Sequence, residues 1–300
     1  MTTPQSFPYP PAPSAPAAPS HFASQIPVQQ TRLSHALLSE WTKIRSVRST
    51  VWTLGVMLVL VIGINLLVLI PISRSSDTDI PVLAPGLFGL LLGQLAIITL
   101  GVLVITSEYG TGMIRTTLTS CPQRSRVLAA KAIVFFGVSF VTTTVACAIT
   151  ALISWSTVSG RTLSSDDDGY HPGVYLKDGL TAASGSEWLG ATVGVGLYVA
   201  LLGLLALAVG TLIRHSAGAI TTMMGVVLLP LLVALFLPSS LTSTRDNLIK
   251  FSSPNALASL YRIPMIGSDN ANGVTQLVVL ACVTAVAVLA AFAALNARDV

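Results

Sequence analysis

The residues best placed to do chemical work lie in one polar segment, 107–131, between two long apolar runs. It begins with Glu108, passes through two glycines that permit a sharp turn, and ends in basic residues that suit an anionic membrane surface. After the glycines, Met113, Ile114 and Leu118 give a short predicted helix one apolar edge. This pattern suits docking of a protein partner, and it suits an ordinary basic connecting loop equally well.

Patterns typical of an enzyme are missing from the sequence. Gly110-Thr111-Gly112 does not have the G-x-x-x-x-G-K-[ST] spacing of a phosphate-binding loop, and no other segment matches it. An intramembrane serine peptidase needs a histidine base beside a buried serine, but the nearest histidine, His215, lies beyond the end of an apolar run. We therefore expect no catalytic residues, no metal site and no cofactor bound by this chain itself.

The composition places much of the chain against lipid. Of its 300 residues, 52% are hydrophobic and 9% are charged, and the mean hydropathy is +0.77. A soluble domain carries about 25% charged residues, so this chain lacks the charge to cover a water-exposed surface and a soluble protein is excluded. The net charge of +4 comes from 16 basic residues spread over the whole length. That distribution favours a cytoplasmic-face bias over nucleic-acid binding.

Six apolar runs are each close to the ~20 residues that cross ~30 Å of hydrocarbon. They are residues 51–70, 86–106, 132–155, 188–213, 219–237 and 274–295. The predicted fold is therefore an all-α integral membrane protein with six transmembrane helices in one domain over 51–300. With the N-terminus inside, ten of the 16 lysines and arginines fall on the cytoplasmic side. This bias predicts that both termini are cytoplasmic.

Two segments precede the first run. Residues 1–30 contain eight prolines and no charged residue, which is typical of a disordered tail. In residues 31–50, apolar residues recur at helical spacing with charged residues between them. This predicts a basic amphipathic helix that lies in the membrane interface, with Trp41 at headgroup depth.

The six runs, as bounded above, contain no Asp, Glu, Lys, Arg or His. A proton-coupled transporter needs an ionisable group at membrane depth, so that class is disfavoured and energy is expected to come from outside the chain. Some of the polar side chains in the runs could line a translocation path, or they could form hydrogen bonds between helices. The candidates are Asn65, Gln94, Thr142, Thr143, Thr144 and Tyr198.

Small residues recur four positions apart in the runs, as at Gly89 and Gly93 and again at Gly190 and Gly194. Such spacing lets helix backbones approach closely in lipid. It indicates either packing within one chain or a seam between two chains.

Three stretches occur in an order that resembles a type-2 ABC-transporter permease, the membrane subunit of many bacterial drug and antimicrobial-peptide exporters. They are SEWTKIRS at 39–46, SEYGTGMIRTTL at 107–118 with PQR at 122–124, and GTLIRHSAGAI at 210–220. The third is similar to the turn between the fourth and fifth spans of actinobacterial members. The resemblance extends over residues 31–300.

The resemblance implies the permease of an ATP-driven exporter in the plasma membrane, moving a drug-like, peptide or lipid-like substrate and conferring multidrug resistance. Two permeases, identical or different, would pair with two ATPase subunits that bind ATP and Mg. It implies a cytoplasmic coupling helix in the loop after the second span, which would contact the ATPase together with the N-terminal amphipathic helix. The loop residues concerned are Glu108, Tyr109, Gly110, Gly112, Met113, Ile114, Arg115 and Leu118. Those of the amphipathic helix are Glu40, Trp41, Lys43 and Arg45.

Two other functions fit the same apolar composition. A passive channel or facilitator would need no partner subunit. A membrane scaffold would hold a cytoplasmic complex through the proline-rich tail and the basic helix.

Overall fold

A computed structural model of the chain describes residues 32–75, 77–112, 124–163, 173–263 and 272–297. The compact unit to which they belong spans Arg32–Val300. The predicted tail, 1–30, lies outside the described residues. So does most of the predicted coupling helix, including Met113, Ile114, Arg115 and Leu118.

Helices dominate the described residues, with one small hairpin between the third and fourth spans. The elements are α1 Leu33–Ser46, α2 Arg48–Arg74, α3 Pro85–Gly110, α4 Arg124–Val158, β1 Tyr175–Lys177, β2 Leu180–Ala182, α5 Gly185–Leu189, a π-helical segment Gly190–Gly194, α6 Val195–Ile213, α7 Ser216–Phe236, a 3₁₀ turn Ser239–Leu241, α8 Thr242–Lys250, α9 Ser253–Leu260 and α10 Val274–Ala297. The two strands pair antiparallel, with Tyr175 opposite Ala182.

Six helical segments of the described chain are long and apolar enough to cross a membrane. They are α2, α3, α4, the continuous segment Gly185–Ile213, α7 and α10. The predicted all-α, six-span membrane fold is thus confirmed. The fourth span begins at a capping box, because the Ser184 hydroxyl accepts from the Glu187 backbone N–H at 3.3 Å and the Glu187 carboxylate accepts from the Ser184 N–H at 3.2 Å.

The helices extend beyond the apolar runs that predicted them. α3 continues to Gly110 and α4 already begins at Arg124, so Glu108 and Lys131 belong to the helices of the second and third spans. The predicted spans 86–106 and 132–155 stopped short of these charged side chains because hydropathy falls there. The helices continue past these limits because their backbone hydrogen bonds continue. The charged side chains at these positions also form ion pairs.

α3 and α6 form the centre of the bundle. In their most apolar windows 56% and 67% of the residues are buried, against 28% or less in the other four spans. Glycines allow the two helices to approach each other: a Cβ on Gly203 would lie 2.8 Å from Ile97 Cγ2, and one on Gly101 would meet the Gly203 carbonyl oxygen. Gly89 and Gly93 contact Val61 of α2 in the same way. The glycine spacing in the second span therefore serves packing within this chain.

A short buried helix packs against one end of the bundle. This helix is α9, and every residue of α9 except Pro254 is buried. Leu260 fits against Gly190 and Gly194, since a Cβ on Gly190 would lie 2.5 Å from the Leu260 carbonyl oxygen. The second glycine pair predicted from sequence thus also packs within the chain.

The N-terminal amphipathic helix α1 packs against α4 and α2. It ends at Ser46, four residues before the predicted limit at 50, because Val47 adopts an extended conformation (φ −79°, ψ 111°). Lys43 and Arg45 lie in its last turn, where cations are favoured by the helix dipole. Residues 48–50 are the first turn of α2.

Candidate functional site

Four charged side chains from three helices meet at one end of the bundle; we call Glu40, Lys43, Glu108 and Lys131 the ionic network. Lys131 Nζ of α4 donates to Glu40 Oε2 of α1 at 2.7 Å and to Glu108 Oε1 of α3 at 2.9 Å. Lys43 Nζ donates to Glu40 Oε1 at 2.7 Å and to Glu108 Oε1 at 3.0 Å. Each lysine therefore bridges both carboxylates.

Three of the four side chains are withdrawn from solvent. The exposed fraction is 2% for Lys131, 5% for Glu40 and 8% for Glu108, against 30% for Lys43. Removing a charge from water is costly unless an opposite charge and hydrogen bonds compensate for it. With two cations and two anions the ionic network is formally neutral, so each buried charge is compensated by the others.

The pKa of Lys43 is affected by two opposing influences. Burial lowers it, but the hydrogen bond and charge of Glu40, with a smaller contribution from Glu108, outweigh burial and raise the pKa above its ordinary value. Lys43 is therefore a cation throughout the physiological pH range.

Two members of the ionic network flank the segment 111–123 in the chain, one before it and one after it. Glu108 lies in the last turn of α3, and Lys131 lies about two turns into α4. Gly112 has φ +72°, a left-handed conformation that glycine adopts readily. The end of α3 and the start of α4 are therefore joined by ion pairs to each other and to α1.

The turn between α6 and α7 lies against the same end of α3. The Arg214 guanidinium carbon is 5.2 Å from the centroid of the Tyr109 ring, within the range of a cation–π interaction. Arg214 has φ 58° and ends α6, and His215 begins α7 by accepting a hydrogen bond from the Gly218 N–H at 3.2 Å. Two of the three stretches that carry the sequence resemblance, 107–118 and 210–220, thus contact each other through Tyr109 and Arg214.

A cleft of about 260 Å³ opens beside the ionic network; we call it the α1 cleft. All four members of the network contribute to its wall. The remaining lining residues come from the end of α1, the start of α2 and the last turns of α3. They are Ile44, Val47, Ser49, Thr50, Thr53, Leu100, Leu103, Val104, Ser107 and Thr111.

The other predicted contact residues on α1 lie apart from the network. Trp41 is 45% exposed, and the Arg45 guanidinium carbon is 5.9 Å from its ring centroid. Gly110 is exposed at the end of α3. Trp41, Arg45 and Gly110 therefore present a surface to lipid or to a partner, while Glu40, Lys43 and Glu108 are engaged within the chain.

Most of the side chains predicted to line a path are buried within this chain. Asn65 Oδ1 accepts from Ser154 Oγ at 3.0 Å, and Gln94 Oε1 accepts from Ser253 Oγ at 2.7 Å. Both bonds join separate helices, which is the alternative that the sequence left open for these residues. Thr143 and Tyr198 are buried, and Thr142 donates to its own helix at the Val138 carbonyl. That these residues line a path stays a prediction.

No protein-family model matches the chain, and no curated protein matches it. The functional conclusion consequently depends on the geometry above and on the resemblance of the three sequence stretches.

Proposed function

We propose that this chain is the permease subunit of an ATP-driven exporter of the type-2 ABC class, in the plasma membrane with both termini cytoplasmic. A separate ATPase would supply the energy, and the cargo would be drug-like, a peptide or lipid-like. The observation that carries the proposal is the ionic network, because it links α1 to both helices that flank the segment 113–123.

The network supports a mechanical role for that segment. A force applied by a partner to 113–123 would reach α3 through its C-terminal end and α4 through its N-terminal end. Because Lys131 also bonds Glu40, the same force would reach α1 directly. Closure of an ATPase pair on nucleotide would thus tilt three helices together, which alternating access requires.

The distribution of charge in the spans supports an outside energy source. Glu108 and Lys131 lie at one end of their helices and bond each other. The apolar runs between the helix ends carry no Asp, Glu, Lys, Arg or His. A gradient-driven carrier would place such a group at membrane depth.

Co-purification with an ATPase tests the proposal. The full chain is co-expressed with candidate soluble ATPases, including any that a neighbouring reading frame encodes, and the recovered ATPase per permease is measured. Met113→Asp combined with Ile114→Asp should lower recovery at least about tenfold, since buried carboxylates in an apolar contact cost several kcal/mol. The matched control changes two exposed leucines of the hairpin, Leu176→Asp and Leu180→Asp. Equal recovery from the loop variant and the control would contradict the docking role.

Three further measurements separate the alternatives. Liposomes holding the purified chain with its ATPase should move cargo only with ATP, and ATP-independent flux would instead indicate a passive facilitator. Deletion of residues 1–30 should leave ATPase binding unchanged, whereas a scaffold that acts through its tail would lose its partners. Pull-down between two differently tagged copies distinguishes a homodimer from pairing with a sibling permease.

A further inference from the structure

The outward face of the N-terminal helix α1 combines apolar, aromatic and basic side chains. Leu38, Trp41 and Arg45 follow one another at spacings of three and four, so they share one face of the helix. All three are exposed, Leu38 by 64%. The buried residues of α1, Glu40 and Ile44, lie on a different face, which packs on the bundle. The outward face is therefore left for a partner other than the bundle.

A second exposed group follows directly in the chain. Only Val47 separates α1 from α2, and Val51 and Trp52 near the start of α2 are 54% and 73% exposed. Because α2 is one of the six spans, we expect its exposed apolar side chains to face lipid. A tryptophan at the end of a span is typical of the headgroup region. The outward residues of α1 are thus next in the chain to a surface that borders the bilayer.

The exposed charges of this stretch are all positive. Arg32, Arg45 and Arg48 are exposed, and none of the described carboxylates forms an ion pair with them. The one acid between residues 32 and 52 is Glu40, and it is withdrawn into the ionic network. Burial of that acid leaves an outer surface whose charge complements an anion.

An anionic lipid fits these features better than an acidic protein does. Arg48 is the first residue of a span and Trp52 lies one turn further along it, so the surroundings at this level are lipid. The Arg45 guanidinium carbon is 5.9 Å from the Trp41 ring centroid, which sets a cation beside an amphipathic ring. Tryptophan rings are enriched among lipid headgroups, and a guanidinium binds phosphate oxygens in pairs. We call Leu38, Trp41, Arg45, Arg48 and Trp52 the junction surface.

We propose that the junction surface binds an anionic phospholipid, with Trp41 and Trp52 at headgroup depth and Arg45 and Arg48 donating to its phosphate. A zwitterionic lipid has the same phosphate, but its ammonium group offsets the negative charge and weakens the attraction. The surface requires neither an ATPase nor a second permease, so it is independent of the proposed function. Because the ionic network joins α1 to α3 and α4, lipid bound to α1 would act on those spans as well.

Quenching of Trp41 fluorescence by brominated lipids tests the preference. The other three tryptophans, at positions 52, 155 and 188, are changed to phenylalanine, and the full chain is reconstituted in phosphatidylcholine vesicles. A small share of brominated phosphatidylglycerol, or the same share of brominated phosphatidylcholine, is then included. The relative affinity for phosphatidylglycerol should be at least about fivefold, the preference that one arginine near an anionic surface supplies. A ratio near one would overturn the proposal.

Native mass spectrometry of the unaltered chain gives a second measurement that does not depend on the tryptophan changes. From an equal mixture of the two lipids, the chain should retain phosphatidylglycerol in preference to phosphatidylcholine. Equal retention of the two lipids would overturn the proposal.

A matched pair of double variants tests the location. Arg45→Gln with Arg48→Gln removes two cations from the junction surface, and Arg74→Gln with Lys177→Gln removes two from exposed positions elsewhere. The preference for phosphatidylglycerol should fall at least about fivefold in the first variant and stay unchanged in the second. All four positions are exposed, and the unfolding midpoints show that both variants are folded. Equal losses of preference in the two variants would overturn the proposal.

Recovery of an ATPase separates a lipid surface from a protein-docking surface. Arg45→Gln with Arg48→Gln should lose the lipid preference and keep the recovery of a co-purifying ATPase, which supports the proposal. Reduced ATPase recovery from this variant, with no lipid preference in the unaltered chain, would assign the surface to the ATPase and overturn it. The loop variant at residues 113 and 114 tests the proposed function separately, so the two failures are distinguishable.

Discussion

Lys131 of α4 and Glu40 of α1, 91 residues apart in the chain, form an ion pair of 2.7 Å in which both side chains are buried. This pair holds the N-terminal amphipathic helix against the third span. Lys131 also bonds Glu108 of α3. A displacement of α1, α3 or α4 therefore acts on the other two helices through these ion pairs.

Loss of Lys131 should destabilise the chain strongly. Lys131→Met keeps the side-chain length but leaves Lys43 alone to pair with both buried carboxylates. One buried negative charge is then uncompensated, so we expect a loss of about 3–5 kcal/mol in the free energy of unfolding. Thermal unfolding in detergent measures it. The control is Lys177→Met at an exposed hairpin position, which should change stability by less than about 0.5 kcal/mol. Similar effects of the two changes would refute the importance of the ionic network.

The two glycines after Tyr109 should respond differently to alanine. Gly112 has φ +72°, so Gly112→Ala should cost about 1–2 kcal/mol in the left-handed conformation. Gly110 ends α3 with no described atom near its Cβ position, so Gly110→Ala should be neutral or stabilise by up to about 1 kcal/mol. Unfolding measurements and ATPase recovery are compared for both variants. We expect Gly112→Ala to lower the recovery of the ATPase and Gly110→Ala to leave it unchanged. Equal recovery from the two variants would show that the backbone conformation at residue 112 has no role in docking.

The crossing of α3 and α6 should not accept a methyl group. A Cβ on Gly203 would lie 2.8 Å from Ile97 Cγ2 and 3.0 Å from Phe135, so Gly203→Ala should destabilise by about 1–3 kcal/mol. Gly137 of α4 has open space at its Cβ position, and Gly137→Ala should be neutral or slightly stabilising. The difference in unfolding midpoint between the two variants is the measurement. A tolerated Gly203→Ala would show that the crossing is looser than described.

Alkaline pH should weaken the ionic network through Lys43. The pKa of Lys43 is raised above its ordinary 10.5 in the folded protein. Its contribution to stability is therefore fully present below the unfolded pKa and is lost as pH rises through the folded pKa. We expect an alkaline loss of stability that begins above about pH 10 and is smaller in Lys43→Arg, because arginine stays charged. The midpoint of unfolding at pH 8 and pH 11 measures this, and identical losses in the two proteins would exclude Lys43 as the cause.

The spans could be predicted because each apolar run is long enough to satisfy a simple requirement of length and hydropathy. The ion pairs of Lys131 could not be predicted in this way. Its partners lie 23 and 91 residues away, and local spacing does not encode such distant pairs. The only signal was that Val127, Leu128 and Ala130 precede Lys131, which is compatible with burial of the lysine and equally with its placement at the membrane surface.

The helix break at Val47 and the π-helical segment Gly190–Gly194 were likewise not predicted. Val47 has no special backbone requirement, and its extended conformation follows from the positions at which α1 and α2 pack on α4. The π-helical segment lies where Gly190 and Gly194 accommodate Leu260 of α9. Both features are set by contacts between distant helices, whereas hydropathy describes one helix at a time.

The two ends of α3 are held by forces of different range. Near Gly86 a Cβ would lie 2.9 Å from the Tyr261 hydroxyl, just beyond α9, and at the other end Glu108 is held by charge. Coulomb attraction falls gradually with distance, whereas packing contacts are lost within an ångström. We therefore expect the charged end to tolerate a displacement better than the packed end. If the spans rock as the proposed function requires, the pivot is expected at the α9 end, with the greatest amplitude at the ionic network.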